Sequence, residues 1–113
     1  MSMEAGEIIR RNVAIVEYMD GETSPDYPDA VLVRKGRYLR AEWSCDLKYH
    51  NDWSWLMPVV ERICNARDTA YHLGKSFRHG WFARFGMDNN SYGETAIDAA
   101  WLAVSDHILS LEK

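Results

Sequence analysis

The sequence predicts an α+β fold. We expect a small layered sandwich in which three helices pack on a short antiparallel sheet of about three strands, in the order α-β-β-α-β-α. Three stretches carry apolar residues at intervals of three and four, the spacing of a helix with one apolar face. Other stretches are rich in β-branched and aromatic residues, and one of them has a period of two. The length of 113 residues is that of one domain, so we predict a single domain over residues 1–113.

The first helix is predicted over residues 4–19. One face collects the following residues at spacings of three and four: Ile8, Ile9, Asn12, Val13, Ile15, Val16 and Met19. Gly21 suits a left-handed cap after this helix, because glycine reaches positive φ without steric strain. Residues 22–29 contain two prolines and two aspartates without periodicity, and they are predicted to form a loop.

Two strands are predicted at residues 30–34 and 37–43, with Lys35-Gly36 as the turn of a hairpin. A second helix is predicted over residues 52–65. Pro58 conflicts with this prediction, because a proline inside a helix removes a main-chain hydrogen bond. One arrangement places Ser54 near the N-cap and Pro58 in the first turn. In the other, Asn51 or Asp52 caps the helix and Pro58 bends it.

Residues 66–75 are ambiguous. Tyr71 and Leu73 suit a short strand, whereas Asp68 and Gly74 favour a loop.

Residues 76–87 alternate with a period of two, which predicts a half-buried strand of an antiparallel sheet. A turn is predicted at residues 88–90. Ser91 and Glu94 then match the capping box that opens a helix, in which a serine is followed three residues later by a glutamate. The last helix is predicted to run to about residue 111, on apolar spacings of four and three.

Composition restricts the classes of partner. The formal net charge is −4, with 17 acidic and 13 basic residues, which does not favour non-specific binding to a phosphate backbone. Five tryptophans allow two interpretations. We favour a small core filled with large side chains, since most of them fall on apolar periodic positions. The other interpretation is that some of the tryptophan surface faces a partner.

The chain shows no targeting or membrane pattern. Its first residues lack the basic region and apolar run of a signal peptide. No apolar run approaches the ~20 residues that span a bilayer. Cys45 and Cys64 are too few for a disulfide framework. We therefore expect a cytoplasmic protein with reduced thiols and no membrane partner.

Residues 47–63 carry a recognisable motif. It consists of Tyr49-His50, Trp53-Ser54-Trp55-Leu56-Met57-Pro58-Val59-Val60-Glu61 and Ile63. This stretch resembles a family of small uncharacterised proteins encoded by phages and prophages of gut bacteria, some of which are grouped as a phage αβα-sandwich domain. The first helix adds weaker matches at Asn12, Ile15, Glu17, Tyr18, Met19 and Gly21. The resemblance implies a phage origin and a compact αβ sandwich, and it carries over no catalytic residue.

Two groups of residues are candidate chemical sites. His50 and Asp52 could form a base with its orienting partner, but no nucleophile accompanies them, and we favour a helix cap at Asp52 or Asn51. A metal site could use Cys45, His50, Cys64 and His72 or His79. Zinc ligands usually come in close pairs, and none occurs here. We therefore expect no catalytic residue, no metal and no cofactor.

Two further groups of residues are candidate binding sites. The predicted hairpin carries Arg34, Lys35, Arg37 and Arg40 with Tyr38, which could grip a nucleic-acid backbone or nucleotide and stack on a base. The alternative is a solvated face that protects a sheet edge.

The second group lies on the predicted third strand and consists of Arg78, Phe82 and Arg84. Arginine and aromatic side chains are enriched at protein interfaces, but a covering helix would bury Phe82 equally well.

These observations favour a non-enzymatic accessory protein that acts through protein–protein contact, with a host protein, a phage protein or a second copy as partner. Nucleotide or nucleic-acid binding through residues 34–40 is the alternative. An enzyme that uses His50 and Asp52 is the third and least favoured hypothesis. The host-cell cytoplasm is the expected location.

Overall fold

The computed structural model of the chain describes residues 3–23, 26–27 and 29–111. Ser24, Pro25 and Pro28 of the predicted loop lie outside the described residues. So do the two residues at each end of the chain and the side chain of Lys35.

Three α-helices and six strands make up the described fold. The helices are α1 (Ala5–Tyr18), α2 (Trp53–Arg67) and α3 (Ala96–Ser110). The strands are β1 (Glu22–Thr23), β2 (Ala30–Lys35), β3 (Tyr38–Trp43), β4 (Tyr71–Ser76), β5 (Gly80–Phe85) and β6 (Ser91–Gly93). They form two antiparallel sheets, β1-β2-β3 and β4-β5-β6, which we call the first and the second sheet. The α+β class is confirmed, while the prediction of one sheet of about three strands is corrected to two sheets of three.

The helices lie at the centre of the packing. Helix α3 packs on all three strands of the second sheet, and α1 packs on α3 and on strands β1 and β2 of the first sheet. Helix α2 contacts α3. The largest completely buried side chains come from helices, strands and the connection before α2: Phe85, Ile15, Leu47, Leu56 and Ile63. One core therefore serves both sheets.

The first helix and the turn after it differ from prediction in one detail. Asp20, not Gly21, takes the left-handed conformation, with φ of 65°. Gly21 is required for close approach instead. A Cβ atom there would lie 2.4 Å from Val16 Cγ1 and 2.5 Å from the Leu32 carbonyl oxygen. The glycine lets the first sheet approach the end of α1.

The predicted hairpin of the first sheet is confirmed, with its turn shifted by one residue. Lys35 pairs with Tyr38, so the turn consists of Gly36 and Arg37. Gly36 has φ of 64°, and two-residue hairpin turns require positive φ at this first central position. Strand β1 lies within the predicted loop, where Glu22 pairs with Leu32.

Helix α2 has the cap of one of the two predicted arrangements. Asp52 is the N-cap, and its carboxylate accepts hydrogen bonds from Ser54 N (2.9 Å) and Ser54 Oγ (2.6 Å). Pro58 lies inside the helix, in its second turn, rather than in the first turn. The cap supplies one of the acceptors that the start of a helix needs.

The prediction of one strand over residues 76–87 is wrong, because the period of two runs through a turn. Residues 77–79 connect β4 to β5, and the period matches a strand only over β5. Gly80 and Gly86 have φ of 79° and 58° and bend the chain at the two ends of β5. Phe77 and Met87, which the pattern placed on the buried face, are fully exposed. In the ambiguous segment 66–75, the residues from Tyr71 onwards form strand β4, so the strand alternative is confirmed there.

The predicted capping box at Ser91 and Glu94 is also wrong. Ser91 belongs to β6, and Thr95 caps α3 by accepting a hydrogen bond from Asp98 N at 3.2 Å. Gly93 of β6 lies close to the first turn of α3. A Cβ atom there would lie 2.5 Å from Ala99 N, so β6 can lie against the start of α3 only with glycine at this position.

Candidate functional site

The arginines of the predicted basic hairpin lie on opposite faces of the first sheet. Arg34 shares a face with Leu39, its partner in the register, and its Nε donates to the Asp20 carbonyl oxygen at 3.3 Å. Arg40 lies on the other face, and its Nε is 3.1 Å from Glu42 Oε1. One positive charge is therefore paired with a carboxylate, and the two arginines do not form one basic groove.

The other two hairpin candidates lie at its tip. Arg37 is in the turn and Tyr38 opens β3, and both side chains are exposed. Tyr38 lies on the face of Arg40, since the two residues are two apart in one strand. The hairpin tip is accessible to a partner, but the charges of the hairpin arginines do not lie on one side of it.

The candidates of the second sheet are also separated from one another. Arg78 lies exposed in the turn between β4 and β5. Phe82 is half-buried opposite Gly74, and a Cβ atom at Gly74 would lie 2.7 Å from Phe82 Cζ. The phenyl ring therefore covers the glycine of the neighbouring strand, which is a known way to stabilise a glycine in a sheet. Phe82 thus packs on a glycine rather than under a helix.

Arg84 belongs to a polar chain on the outer side of the second sheet. Its Nη1 donates to Asn90 Oδ1 at 3.3 Å, and Asn90 Nδ2 donates to Tyr92 Oη at 3.2 Å. Arg84 Nε is buried and has no hydrogen-bond partner among the described residues. Arg84, Asn90 and Tyr92 are thus joined to one another by hydrogen bonds within the chain.

The outer face of the first sheet is largely apolar. We call its apolar part the open face; its members are Ala30, Leu32, Leu39, Ala41 and Trp43. Arg34 and Glu22, which pair with Leu39 and Leu32, border it on the same side of the sheet. The opposite face carries Val31 and Val33, which are buried in the core. On the open face, Trp43 is 62% exposed. An exposed tryptophan among apolar neighbours is typical of a protein contact surface.

Strand β3 also forms one edge of the first sheet. All six of its residues pair with β2 on one side. On the other side, no strand pairs with it in the part of the chain that the structure describes. An unpaired edge exposes main-chain N–H and C=O groups that can bond to another chain. The open face and this edge share Leu39, Ala41 and Trp43.

A second candidate site lies beside a buried polar chain that joins α1 to α3. Asn12 is 1% exposed, and its Oδ1 accepts a hydrogen bond from Trp101 Nε1 at 2.8 Å. An indole nitrogen can only donate, so the amide oxygen of Asn12 faces Trp101 and its nitrogen faces His50 Nδ1 at 2.9 Å. His50 Nδ1 therefore accepts, and the neutral ring carries its proton on Nε2. Burial lowers the pKa of His50, and the Asp98 carboxylate partly opposes this shift.

A cavity of about 470 Å³ adjoins His50 and Trp101. Asp98, Glu94 and Tyr92 also line it. The described residues that line it include no serine, threonine or cysteine. A histidine without an accompanying hydroxyl or thiol nucleophile does not complete a site for covalent catalysis.

The proposed pairing of His50 with Asp52 does not occur. Asp52 accepts from Ser54 as the cap of α2, and these hydrogen bonds lower the pKa of its carboxyl group. His50 bonds to Asn12 instead. The capping interpretation of Asp52 is confirmed.

The two cysteines lie in different surroundings. Cys45 is exposed, and Cys64 is half-buried against the core, where burial raises the pKa of its thiol. Within the described ranges, no group of three or more His, Cys, Asp or Glu side chains is placed to hold a metal ion.

Two local sequence patterns mark the buried polar chain and the open face. Asn12 is a polar residue on an apolar helix face, which marks a buried hydrogen-bonding group. Leu39, Ala41 and Trp43 alternate with Arg40 and Glu42, which marks an apolar outer face on β3. The partner of Asn12 and the free edge of β3 depend on tertiary structure.

Among the described residues, none of the helices combines the length and apolar character needed to cross a bilayer. Comparison of the chain with protein-family models, with curated proteins and with solved structures gave no match.

Proposed function

We propose that this chain is a non-enzymatic accessory protein of a phage or prophage that acts through protein–protein contact in the host-cell cytoplasm. Its contact surface is the open face with the β3 edge, and its partner is a second copy of the chain. The observation that carries the contact is Trp43, a large aromatic side chain left 62% exposed on an apolar sheet face. The phage origin rests on the resemblance of residues 47–63.

Exposure of the open face favours association on physical grounds. Burying apolar surface contributes roughly 25 cal/mol per Å², and tryptophan is among the residues that dominate binding energies at interfaces. Leu32 and Leu39 are half-buried on the same face as Trp43. A partner that covers Trp43 therefore extends an existing apolar contact.

Nucleotide or nucleic-acid binding through residues 34–40 receives less support. The charges of Arg34 and Arg40 lie on opposite faces, and Glu42 neutralises that of Arg40. A net charge of −4 also opposes attraction to phosphates. An enzyme based on His50 receives the least support, because none of the described residues that line the cavity beside it is a serine, threonine or cysteine.

Sedimentation velocity of the purified chain over a wide concentration range tests the proposal. We expect the mean mass to rise with concentration, and we expect Trp43→Thr to abolish the rise. Threonine suits a strand, so the variant should fold. Trp53→Thr is the matched control, because Trp53 is also partly exposed (38%) but lies at the start of α2.

The control variant should associate like the unchanged protein. A chain that remains monomeric at every concentration, or association that both variants weaken equally, would overturn the proposal.

A further inference from the structure

We propose that β3 pairs with β3 of a second copy, antiparallel and centred on Ala41, so that two first sheets join into one continuous six-stranded sheet. This inference rests on the proposed function, because it specifies the edge and register through which the chain associates. It is carried by the direction of the main-chain groups of β3 and by the order of charges along the strand.

Alternate residues of β3 direct their main-chain groups to the free edge. Ser44 N donates to the Asp29 carbonyl oxygen at 2.7 Å, so the pair just beyond Trp43 is joined by a hydrogen bond. Hydrogen-bonded and non-bonded pairs alternate along an antiparallel ladder. The residues bonded to β2 are therefore Tyr38, Arg40 and Glu42. The residues whose N–H and C=O groups point to the free edge are Leu39, Ala41 and Trp43.

Two copies of β3 match when a two-fold axis passes through Ala41. Ala41 then lies opposite Ala41 of the second copy, and Leu39 lies opposite Trp43. All three free-edge residues thus fall in hydrogen-bonded pairs. On the other face, Arg40 lies opposite Glu42 of the second copy, and the symmetry repeats this pair. Opposite charges directly across two strands stabilise the pairing.

The neighbouring registers are unfavourable. An axis through Arg40 places the two copies of Arg40 opposite each other, and an axis through Glu42 does the same for the two copies of Glu42. Like charges directly opposite each other are destabilising. Either axis also centres the pairing on residues whose main-chain groups already bond to β2. A shift by one residue would set the charged face of one strand on the apolar face of the other.

The other described edge strands lack these features. Strand β1 (Glu22–Thr23) has two residues and β6 (Ser91–Gly93) has three, and short edge strands resist pairing with another chain. Strand β4 has six residues and carries Lys75 but no acidic residue to pair with it. Among the described strands, β3 is the one whose own sequence provides both charges.

The contact is small, since each copy contributes one strand of six residues. Interfaces below about 1,200 Å² are typical of weak or transient complexes. We therefore expect a dissociation constant of about 1 μM or weaker, which increases with salt because the Arg40–Glu42 pairs are accessible to solvent.

Charge reversal tests the register. Arg40→Glu places two glutamates opposite two glutamates, and Glu42→Arg places two arginines opposite two arginines. We expect each single variant to raise the dissociation constant by roughly tenfold or more. Arg37→Glu is the matched control, because it makes the same change of charge in the turn, outside the paired strand. It should change the dissociation constant far less.

An equimolar mixture of the two single variants gives the decisive measurement. Arg40→Glu and Glu42→Arg are complementary across the proposed axis, so the mixture should form a heterodimer although neither variant dimerises well alone. Neither variant keeps the Arg40–Glu42 pair within its own chain, so repair of that pair cannot produce the heterodimer. Native mass spectrometry distinguishes it from the two homodimers.

The outcomes separate the inference from the proposed function. Association that persists unchanged in both single variants, or a mixture without heterodimer, would overturn the Ala41 register while leaving self-association in place. An unchanged protein that never associates would overturn both.

Discussion

The first and the second sheet have the same plan but different surroundings. Each is a three-stranded antiparallel meander that follows a helix, α1 or α2. The second sheet is covered by α3 on one side, and on the other side Phe82 lies on Gly74. The first sheet buries Val31 and Val33 but leaves Trp43 exposed on its outer face. Both faces of the second sheet thus have contacts within the chain, whereas the first sheet retains an apolar surface that another chain can cover.

The contact between the second sheet and α3 should be the most sensitive point. We expect Gly93→Ala to lower the free energy of unfolding by roughly 2–3 kcal/mol, because its Cβ would lie 2.5 Å from Ala99 N, a main-chain atom that cannot move aside cheaply. Urea denaturation measures the loss. Gly6→Ala is the control: Gly6 lies in α1, and apart from its chain neighbours and the backbone of its own helix, an added Cβ would meet no atom within 4 Å. It should leave stability unchanged or raise it by up to about 1 kcal/mol. Equal losses in both variants would contradict the tight contact.

The outward-facing aromatic residues of the two sheets provide the next comparison. Phe82→Thr removes the ring that covers Gly74, and we expect it to reduce stability by about 1–2 kcal/mol. Trp43→Thr should change the stability of the monomer by no more than about 0.5 kcal/mol, because this side chain is exposed. Thermal unfolding at low protein concentration measures both. A larger loss for Trp43→Thr would show that the first sheet depends on its tryptophan within the single chain.

A fall in pH should produce the smallest change in the free energy of unfolding. The groups responsible should lie among the helices and the second sheet, not in the first sheet. Burial lowers the pKa of His50 and of His107 below the ordinary value of 6.5. For His107, Arg67 lowers the pKa further and Asp88 opposes it. Between 6.5 and these lowered values the unfolded chain binds more protons than the folded one, so stability decreases as the pH falls through this window. The first sheet contains no histidine.

Denaturation between about pH 7.5 and pH 5.5 checks this expectation. The double variant His50→Gln and His107→Gln should flatten the pH dependence, since the amide oxygen of a glutamine in place of His50 can still accept the hydrogen bond from Asn12. His72→Gln, which removes an exposed histidine from β4, is the control. If the double variant has the same pH dependence as the unchanged protein, groups other than His50 and His107 cause it.

The helices could be predicted from the sequence because their signals are local. The apolar spacing of α3 and the cap at Asp52 each depend on residues within one or two turns. The prediction of one strand at residues 76–87 was wrong because apolar alternation does not record where a chain reverses. Gly80 and Gly86 mark the ends of β5, but a glycine in an alternating run also suits a bulge.

The candidate site could be predicted only in part. Arg40 was identified within the hairpin, but as a phosphate-binding group rather than as the partner of Glu42. The alternation of the two charges with Leu39, Ala41 and Trp43 is visible in the sequence. Which edge of β3 is free depends on the strand order of the sheet, and no local pattern contains that order. The residues that bind Asn12 were beyond prediction for the same reason, since Trp101 lies 89 positions away.

The hydrogen bond from Trp101 to Asn12 also affects how the chain reaches its fold during synthesis. Until α3 leaves the ribosome, the apolar face of α1 is uncovered. The Asn12 side chain, which is buried in the folded protein, then lacks the hydrogen bond from Trp101. The first sheet packs on α1, and α1 packs on α3, so the core beneath the first sheet is complete only when the last helix is available. Contacts between distant segments form slowly, and strands with unpaired edges are prone to aggregate during that delay. The edge of β3, which no described strand covers, is therefore open to other chains during synthesis as well as in the folded protein.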